Sequence, residues 1–584
     1  MTRFEVWAPE AESVEVDVET TRHPLQPVAR RPGWWAADVP EAGPGTDYGF
    51  VLDGGDVLPD PRSRWQPHGV HGRSRVYDDT RHRWTDDGWH GRPLPGSVLY
   101  ELHIGTFTPE GTFDAAIERL DHLVALGVDV VELMPVAAFP GRHGWGYDGV
   151  HLWAVHDPYG GPDGLKRFVD ACHGRGLAVV LDVVYNHLGP SGNYLGEYGP
   201  YFTSTYHTPW GSAVNFDQPG SDEVRAYVIE NALMWLRDHH LDGLRLDAIH
   251  AIADNRAVHI LEELSERVEA LSAHLGRELF LIAESDLNDP RVITPREAGG
   301  LGIDAQWSDD FHHALHATLT GERQGYYCDF GPLAVLAQAL TRVFVHDGGW
   351  SQFRGRAHGR PVDVSRTPAH RFLGYLQNHD QIGNRAAGDR LSATLGTGLL
   401  KVGAALTLTA PFTPMLFMGE EWGATTPWCY FTDHEEPDLG RAVTEGRRRE
   451  FARHGWTGEV PDPQDPDTHR RSVLDWSEPG RSPHKDLLEW YRDLIALHRR
   501  LPELTDPRLT AVTVDHDEDR WLVVRRGAVS VAANLGSAPV LVPAGPGRLL
   551  LASDPAVTVS SAGLVSLPAA SVAVLGAAPG PAPT

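Results

Sequence analysis

Apolar and polar positions alternate along FEVWAPEAESVEVDV at the start of the chain, and the turn signals RPGWW, EAGPGTDYGF and LDGGD cut the alternation into short pieces. Period-two patterning punctuated by Pro and Gly predicts short strands, so residues 1 to about 90 are expected to form a small β-sandwich. WTDDGWHGRPLPG (84–96) reads as a linker.

From about 97 the rhythm changes. VLYELHIGTF (98–107) and VDVVELMPV (128–136) are near-continuous apolar runs. Between them FDAAIERLDHLVALG (113–127) sets its apolar residues at helical spacing and closes on Gly. The unit then repeats. DGLKRFVDACHGRG (163–176), with Leu165, Phe168, Val169 and Cys172 on one face and Asp163 as expected N-cap, runs into LAVVLDVVYNH (177–187). SDEVRAYVIENALMWLRDHH (221–240), with Ser221 as expected cap, runs into LDGLRLDAIH (241–250), and RAVHILEELSERVEALSAHLG precedes ELFLIAES (278–285). Later strands are expected at GIDAQWSDDF (302–311), RFLGYLQNHDQ (371–381) and PMLFMGEEW (414–422).

Apolar strands alternating with helices mark a parallel sheet buried on both faces. Four or more such units in register predict a (β/α)8 TIM barrel over 97–500 rather than a doubly wound sheet. The polar stretch 424–485 is expected to be an insertion after the last strand, and DLLEWYRDLIALHRR (486–500) an amphipathic helix closing the barrel. Strand patterning returns in 505–584, predicting a C-terminal β-sandwich with a disordered tail, PGPAPT. The expected fold class is α/β, a TIM barrel flanked by N-terminal and C-terminal β-sandwich domains.

Composition narrows the function. The 584 residues carry 51 basic and 79 acidic side chains, a formal net charge of −28. That excludes the basic footprint of a nucleic-acid binder and disfavours docking on an anionic membrane. A hydrophobic share of 41% with 22% charged residues excludes disorder as the main state. No apolar stretch reaches the length of a membrane span, and MTRFEVWAPE lacks the pattern of a signal peptide. Cys172, Cys328 and Cys429 cannot build a disulfide framework in so long a chain, which fits a reducing, cytoplasmic setting. The 18 Trp, 16 Tyr and 31 His would suit a neutral polyhydroxylated ligand, although on composition alone Trp used in a large core is the stronger reading.

The strand ends carry polar groups that a purely structural barrel does not need: Asp182, Asn186 and His187; Arg245, Asp247 and His250; Glu284; His379 and Asp380. In a barrel the strand C-termini converge on one face, where catalytic groups gather. Crowded carboxylates raise at least one pKa. Arg245 lies two residues before Asp247 and shares its face, so it can hold that carboxylate ionised. An ionised, oriented carboxylate suits a nucleophile, and a second carboxyl that keeps its proton suits a general acid. Such a pair is the machinery of glycoside hydrolysis, with retention of configuration when the two lie about 5–5.5 Å apart.

DVVYNH (182–187), GLRLDAIH (243–250), IAES (282–285) and LQNHDQ (376–381) resemble, in order, the four signature regions of the α-amylase superfamily. The resemblance covers about 97–500, and the β-rich ends look like that superfamily's N-terminal glycan-binding-type module and C-terminal sandwich. It implies Asp247 as nucleophile, Glu284 as general acid/base and Asp380 as the carboxylate gripping the −1 sugar. It also implies Arg245 as the residue orienting the nucleophile, His187 and His379 as partners of that sugar, Asp182 as support, and Tyr147, in HGWGYDG, as the aromatic stacked on its ring. His250 is placed with the substrate-binding residues.

The stretch from Trp145 through VVYNHLGPSGNYL, with ESDLNDPRV (284–292) and DAQWSDDFHHALHATLTGERQGYY (304–327), is most similar to the maltooligosyltrehalose trehalohydrolase family. The implied reaction is hydrolysis of the α-1,4 bond that joins a terminal trehalose to a maltooligosaccharide. The implied substrates are maltooligosyltrehalose and maltooligosaccharides, and the implied pathway partner is maltooligosyltrehalose synthase. Glycogen branching enzymes share the N-terminal module and parts of the barrel, so branching is the alternative; an inert glycan-binding protein is the third reading. The bend of trehalose calls for a shaped pocket, for which Trp210, Asp286, Tyr326, Tyr327, Phe353 and Arg354 are the candidates. No cofactor is implied. Asn186 matches a calcium-binding position of many amylases, but the rest of that site is not identifiable, so no required metal is expected. HHALH (312–316) has metal-like spacing yet reads as structural, and RRR (447–449) as a solvated face.

Overall fold

The computed structural model describes residues 1–208, 210–453 and 460–577; the tail PGPAPT lies outside the described residues. Eight parallel strands close into a barrel in chain order: β1 (Leu99–Leu102), β2 (Val130–Leu133), β3 (Ala178–Val183), β4 (Gly243–Leu246), β5 (Phe280–Ala283), β6 (Ala305–Trp307), β7 (Phe372–Tyr375) and β8 (Thr413–Phe417). β1 pairs with β2 on one side and β8 on the other, which completes the ring.

Strand periodicity explains why both faces are apolar. Leu99, Val130, Val180, Ile282, Leu373 and Met415 point inward and pack together in the barrel, while Tyr100, Val131, Val179 and Leu181 face the surrounding helices. The inward parity continues to Glu101, Glu132, Asp182 and Arg245, so the barrel filling turns from apolar to charged toward the strand C-termini.

Helices cover most crossovers, among them Gly161–His173, Ser221–Asp238, Ile260–Leu275 and Asp309–Thr320. The β5–β6 crossover carries two short 3-10 turns instead, Pro290–Val292 and Arg296–Ala298. Pro290, Pro295, Gly299 and Gly300 interrupt that stretch and leave no uninterrupted run for a longer helix. Two expected caps shift. Gly160 (φ 117°) caps the helix expected to start at Asp163, and Gly220 (φ 84°) the one expected to start at Ser221. Left-handed backbone at both positions is what glycine tolerates. Asp163 lies in the first turn, where its charge favours the helix dipole.

The N-terminal strands form two sheets, one around Thr2–Trp7 and Trp34–Val39, the other around Val14–Val18 and Asp47–Leu52. They dock on the chain between β3 and β4: Trp7 packs edge-on against Tyr201, and the Tyr198 and Tyr227 hydroxyls donate to Pro59 O (2.8 Å) and Pro61 O (3.0 Å). The polar stretch after β8 contains helices Pro437–Arg453 and Pro466–Arg471. Arg447 departs from the solvated face expected of RRR. It donates to Asn384 Oδ1 (3.1 Å) and Gly383 O (2.8 Å), and its guanidinium lies over the Tyr430 ring.

The C-terminal strands again make two sheets, five-stranded and three-stranded, with Val523, Ala532, Val542, Val565, Leu567 and Ala573 packed together. Arg526 ties this unit to the barrel. Its buried guanidinium donates to Ala410 O (2.8 Å), Leu504 O (2.7 Å) and Asp506 O (2.7 Å). Arg526→Ala leaves those carbonyls without their donor, a loss of about 2–4 kcal/mol. The expected outcome is a thermal unfolding midpoint lower by about 4 °C or more, read by circular dichroism.

Candidate active site

Register assembles the site. Asp182 on β3 pairs with Arg245 on β4, and Leu246 on β4 pairs with Ala283 on β5, so Asp247 and Glu284 leave neighbouring strands side by side. After β7 a one-turn helix, His379–Gly383, presents His379 and Asp380, with the Asn378 side chain capping it through Gln381 N (2.8 Å).

Arg245 is 1% exposed and binds three carboxylates. Its Nη1 donates to Asp182 Oδ1 (2.9 Å), Asp182 Oδ2 (2.8 Å) and Asp247 Oδ1 (2.8 Å), and Nη2 lies 3.1 Å from Glu284 Oε2. The Trp307 ring covers the guanidinium at 4.2 Å. Asp247 is held at both oxygens, because Asn186 Nδ2 donates to Oδ2 (2.7 Å). The amide expected at a calcium position therefore steadies Asp247, and it also reaches the Asp247 carbonyl (2.8 Å).

Glu284 keeps its proton. Burial raises its pKa to about 8, with the charges of Asp247, Asp380 and Asp309 adding to the rise against the pull of Arg245. Ala248 N donates to Glu284 Oε2 (2.7 Å). Ala248 has φ 39°, a left-handed conformation that costs a non-glycine residue about 1–2 kcal/mol. That turn lies directly after Asp247 and aims the N–H at the neighbouring carboxyl. Burial also lifts Asp182 to about 6 in spite of Arg245.

A second chain of hydrogen bonds braces the other wall. The Tyr147 hydroxyl donates to Asp182 Oδ2 (2.5 Å) and lies 2.8 Å from His379 Nε2. His379 Nδ1 bonds Glu101, whose other oxygen accepts from His379 N (2.8 Å). Burial pulls the His379 pKa down, but the Glu101 carboxylate outweighs it and raises it overall, favouring the imidazolium. His187 bonds Asn186 Oδ1 (2.5 Å) and Tyr147 O (3.0 Å), and the exposed Trp210 stacks on it, centroids 4.3 Å apart. Asp380 accepts from Asn384 Nδ2 (2.6 Å).

Several expected trehalose-pocket residues cluster. Arg354 pairs with Asp286, and Phe353 stands edge-on to Tyr326. His250 Nδ1 accepts from Asp286 N (3.3 Å). Tyr327 is apart from them: it is buried, stacked on His316, and its hydroxyl contacts His312 Nε2 (3.1 Å), so it supports Tyr326 from behind. HHALH lies within helix Asp309–Thr320, with His312 also bonded to Leu376 O (2.9 Å) and His316 to Glu322 (2.8 Å). Among the described residues no group of three or more His, Cys, Asp or Glu side chains is arranged to hold a metal ion, and no helix is long and apolar enough to cross a membrane.

Sequence reasoning did not single out Glu101, Trp307, Ala248 or Asp309. Glu101 interrupts an apolar strand and Asp309 follows one, the same signal that exposed Asp182 and Glu284. Trp307 and Ala248 carry no such mark.

A closed parallel barrel, carboxylates grouped on one buried guanidinium, and a two-sheet module at each end define an α-amylase-type protein. Family comparison agrees: the alpha-amylase catalytic domain matches residues 75–207, carbohydrate-binding module 48 (isoamylase N-terminal domain) 1–66, and a domain of unknown function, DUF3459, 507–574. Proteins named "malto-oligosyltrehalose trehalohydrolase" align over nearly full length. The Arthrobacter ramosus protein is 57% identical over 94% of this chain and 95% of its own, and that of Saccharolobus solfataricus 43% identical over 94% of each. The crystal structure of a Salmonella typhimurium protein assigned as an alpha amylase superposes with TM-score 0.90 at 42% identity, covering 98% of this chain and 97% of that one. A Bacillus caldolyticus 1,4-alpha-glucan branching enzyme is 33% identical over 53% of this chain and 51% of its own. The chain belongs to the maltooligosyltrehalose trehalohydrolase family.

Removing Arg245 leaves Asp182, Asp247 and Glu284 buried without their cation. Arg245→Ala is expected to destabilise the fold by about 3–5 kcal/mol at pH 8. The sign of its pH dependence follows from the carboxylates. Without the cation the folded pKa values of Asp182 and Glu284, already raised by burial, rise further above the unfolded ones, so the penalty is full at high pH and shrinks as protonation neutralises them. The gap in unfolding midpoint between parent and variant should narrow from pH 8 to pH 5.

Proposed function

We propose that the chain is a retaining glycoside hydrolase that cleaves the α-1,4-glucosidic bond next to the terminal trehalose of maltooligosyltrehalose, releasing trehalose and a shortened maltooligosaccharide. The observation that carries this reading is the pairing, on one guanidinium, of an oriented Asp247 with a Glu284 that is protonated at neutral pH, in a chain whose full-length relatives bear that enzyme's name. Domains at 1–90, 97–500 and 505–584 belong to the same proposal.

Glu284 gives its proton to the glycosidic oxygen as the bond to C1 breaks, and Asp247 attacks C1 to form the glycosyl-enzyme. Trehalose departs. The ionised Glu284 then takes a proton from water, whose oxygen displaces Asp247 from C1 and restores both carboxyls. Asp380, His379 and His187 bind hydroxyls of the −1 sugar, Tyr147 covers its ring, and Asp182 and Arg245 hold the nucleophile. Asp286, Arg354, Phe353, Tyr326, Trp210 and His250 shape the leaving side, with Tyr327 acting through Tyr326. A neutral substrate suits this site, since it meets the crowded carboxylates without added charge. Branching has the weaker support, because the branching-enzyme relative aligns over only about half of either chain. A cytoplasmic location and a synthase that supplies the 1,1-linked terminus complete the proposal.

Maltotriosyltrehalose should yield trehalose and maltotriose on chromatography. New α-1,6 branches on amylose in place of that release would overturn the reading in favour of branching, and no product from either substrate would favour an inert glycan binder. Turnover should fall as pH rises through about 8, where Glu284 loses the proton it must donate. Glu284→Gln should lower kcat by roughly 10²- to 10⁴-fold and abolish that alkaline limb. Phe353→Ala and Arg354→Ala should lower the ratio of trehalose release to plain maltooligosaccharide cleavage; an unchanged ratio would remove both from the trehalose pocket.

A further inference from the structure

Two residues past β6 stands Asp309, a carboxylate whose charge adds to the rise of the Glu284 pKa. The strand lies between β5, which leads to Glu284, and β7, which leads to Asp380. Asp309, two residues past β6, opens helix Asp309–Thr320 between those two groups. Its charge is felt at Glu284 and at Tyr326, and it feels Asp380 and Asp286 in turn. Asp309 therefore follows the strand between those that lead to the general acid and to Asp380, and contacts Gln381, the residue next to Asp380.

Its hydrogen bonding is one-sided. Oδ1 accepts from the hydroxyl of Tyr375, a fully buried side chain at the end of β7, and from Gln381 Nε2 (3.3 Å). Both donors are neutral and both serve the same oxygen, which orients the carboxyl and leaves Oδ2 for another partner. Asp247 and Glu284 share Arg245, and Asp286 has Arg354, whereas Asp380, like Asp309, is held by a neutral donor, Asn384 Nδ2 (2.6 Å). A half-buried carboxylate held by neutral donors on one side is unfavourable unless further donors arrive. Sugar hydroxyls are such donors, and they bring no charge that would disturb Glu284.

We propose that Asp309 is a substrate-binding residue whose Oδ2 accepts a hydrogen bond from a hydroxyl of the departing disaccharide. The side of the cleft follows from its neighbours. Asp309 follows β6, next to the strand of the carboxyl that protonates the leaving oxygen, and its charge interacts with Asp286 and Tyr326, whereas the nucleophile and Asp182 stand on β4 and β3. This assignment rests on the reading above that the leaving group is trehalose.

The test titrates free trehalose, by calorimetry, into the full-length parent and into Asp309→Asn. Loss of one charge-assisted hydrogen bond should weaken trehalose binding about tenfold or more. The loss in kcat/KM should also be at least fivefold larger on maltotriosyltrehalose than on maltotriosyl fluoride, whose departing fluoride leaves the disaccharide site empty. General damage to the fold would lower both substrates alike. Trehalose affinity within twofold of the parent overturns the proposal. Where Asp309→Asn does not fold, Asp309→Ser is put through the same titration with the same two outcomes. A parent that releases trehalose from maltotriosyltrehalose, with trehalose affinity untouched in the variant, removes this role and leaves the enzyme reading. A parent that releases none, yet binds trehalose through Asp309, removes the enzyme reading and leaves the binding site. A parent that neither releases nor binds trehalose removes both.

Discussion

A single buried guanidinium balances the charge of the cleft. Arg245 stands inside the barrel with Asp182, Asp247 and Glu284 around it and the Trp307 ring over its face. Each carboxylate alone would be expensive to bury; a shared cation offsets three desolvation costs at once. That balance can exist only where adjacent strands bring their ends together in register, so the ring of the barrel and the charge of the site depend on each other. The apolar filling below, from Leu99 to Met415, keeps water away from the cation and strengthens its hold.

The same crowding separates two chemically similar groups. Asp247 is gripped at both oxygens by charged or amide donors, whereas Glu284 has one oxygen on Arg245 and Ala248 N and three other carboxylates nearby. One carboxyl is thereby oriented as an acceptor and the other retains its proton near neutral pH. The opposite wall is braced by a continuous run from Glu101 through His379 and Tyr147 to Asp182, which meets Arg245 again. Displacing any member would shift its neighbours, which is how a site built from five strands can stay ordered.

Legibility followed periodicity. Long apolar strands and amphipathic helices were readable because burial on two faces, or on one stripe, leaves a regular trace. The end of β5 shows where that trace stops. Prolines and glycines there mark a break, but only the fold reveals that two 3-10 turns serve in place of a crossover helix. Arg447 shows the converse, a charge run that looks solvated while one member turns inward to the loop after β7. Tyr327 and Asn186 both have work set by contacts made in the fold: Tyr327 stacks on His316 and bonds His312, and Asn186 bonds Asp247.

By itself the chain's order of residues determined the strand and helix sequence, the barrel they imply and the polar strand ends where chemistry gathers, because these depend on spacing along a few residues. The tertiary structure alone decided that one arginine serves three carboxylates, that Glu284 holds its proton, that Ala248 strains to reach it, and that Tyr375 and Gln381 hold Asp309 by one oxygen. Those outcomes depend on burial and on distances between strands far apart in the chain, and electrostatic energy in a low-dielectric interior changes steeply with both. A local pattern cannot encode them until the barrel has closed.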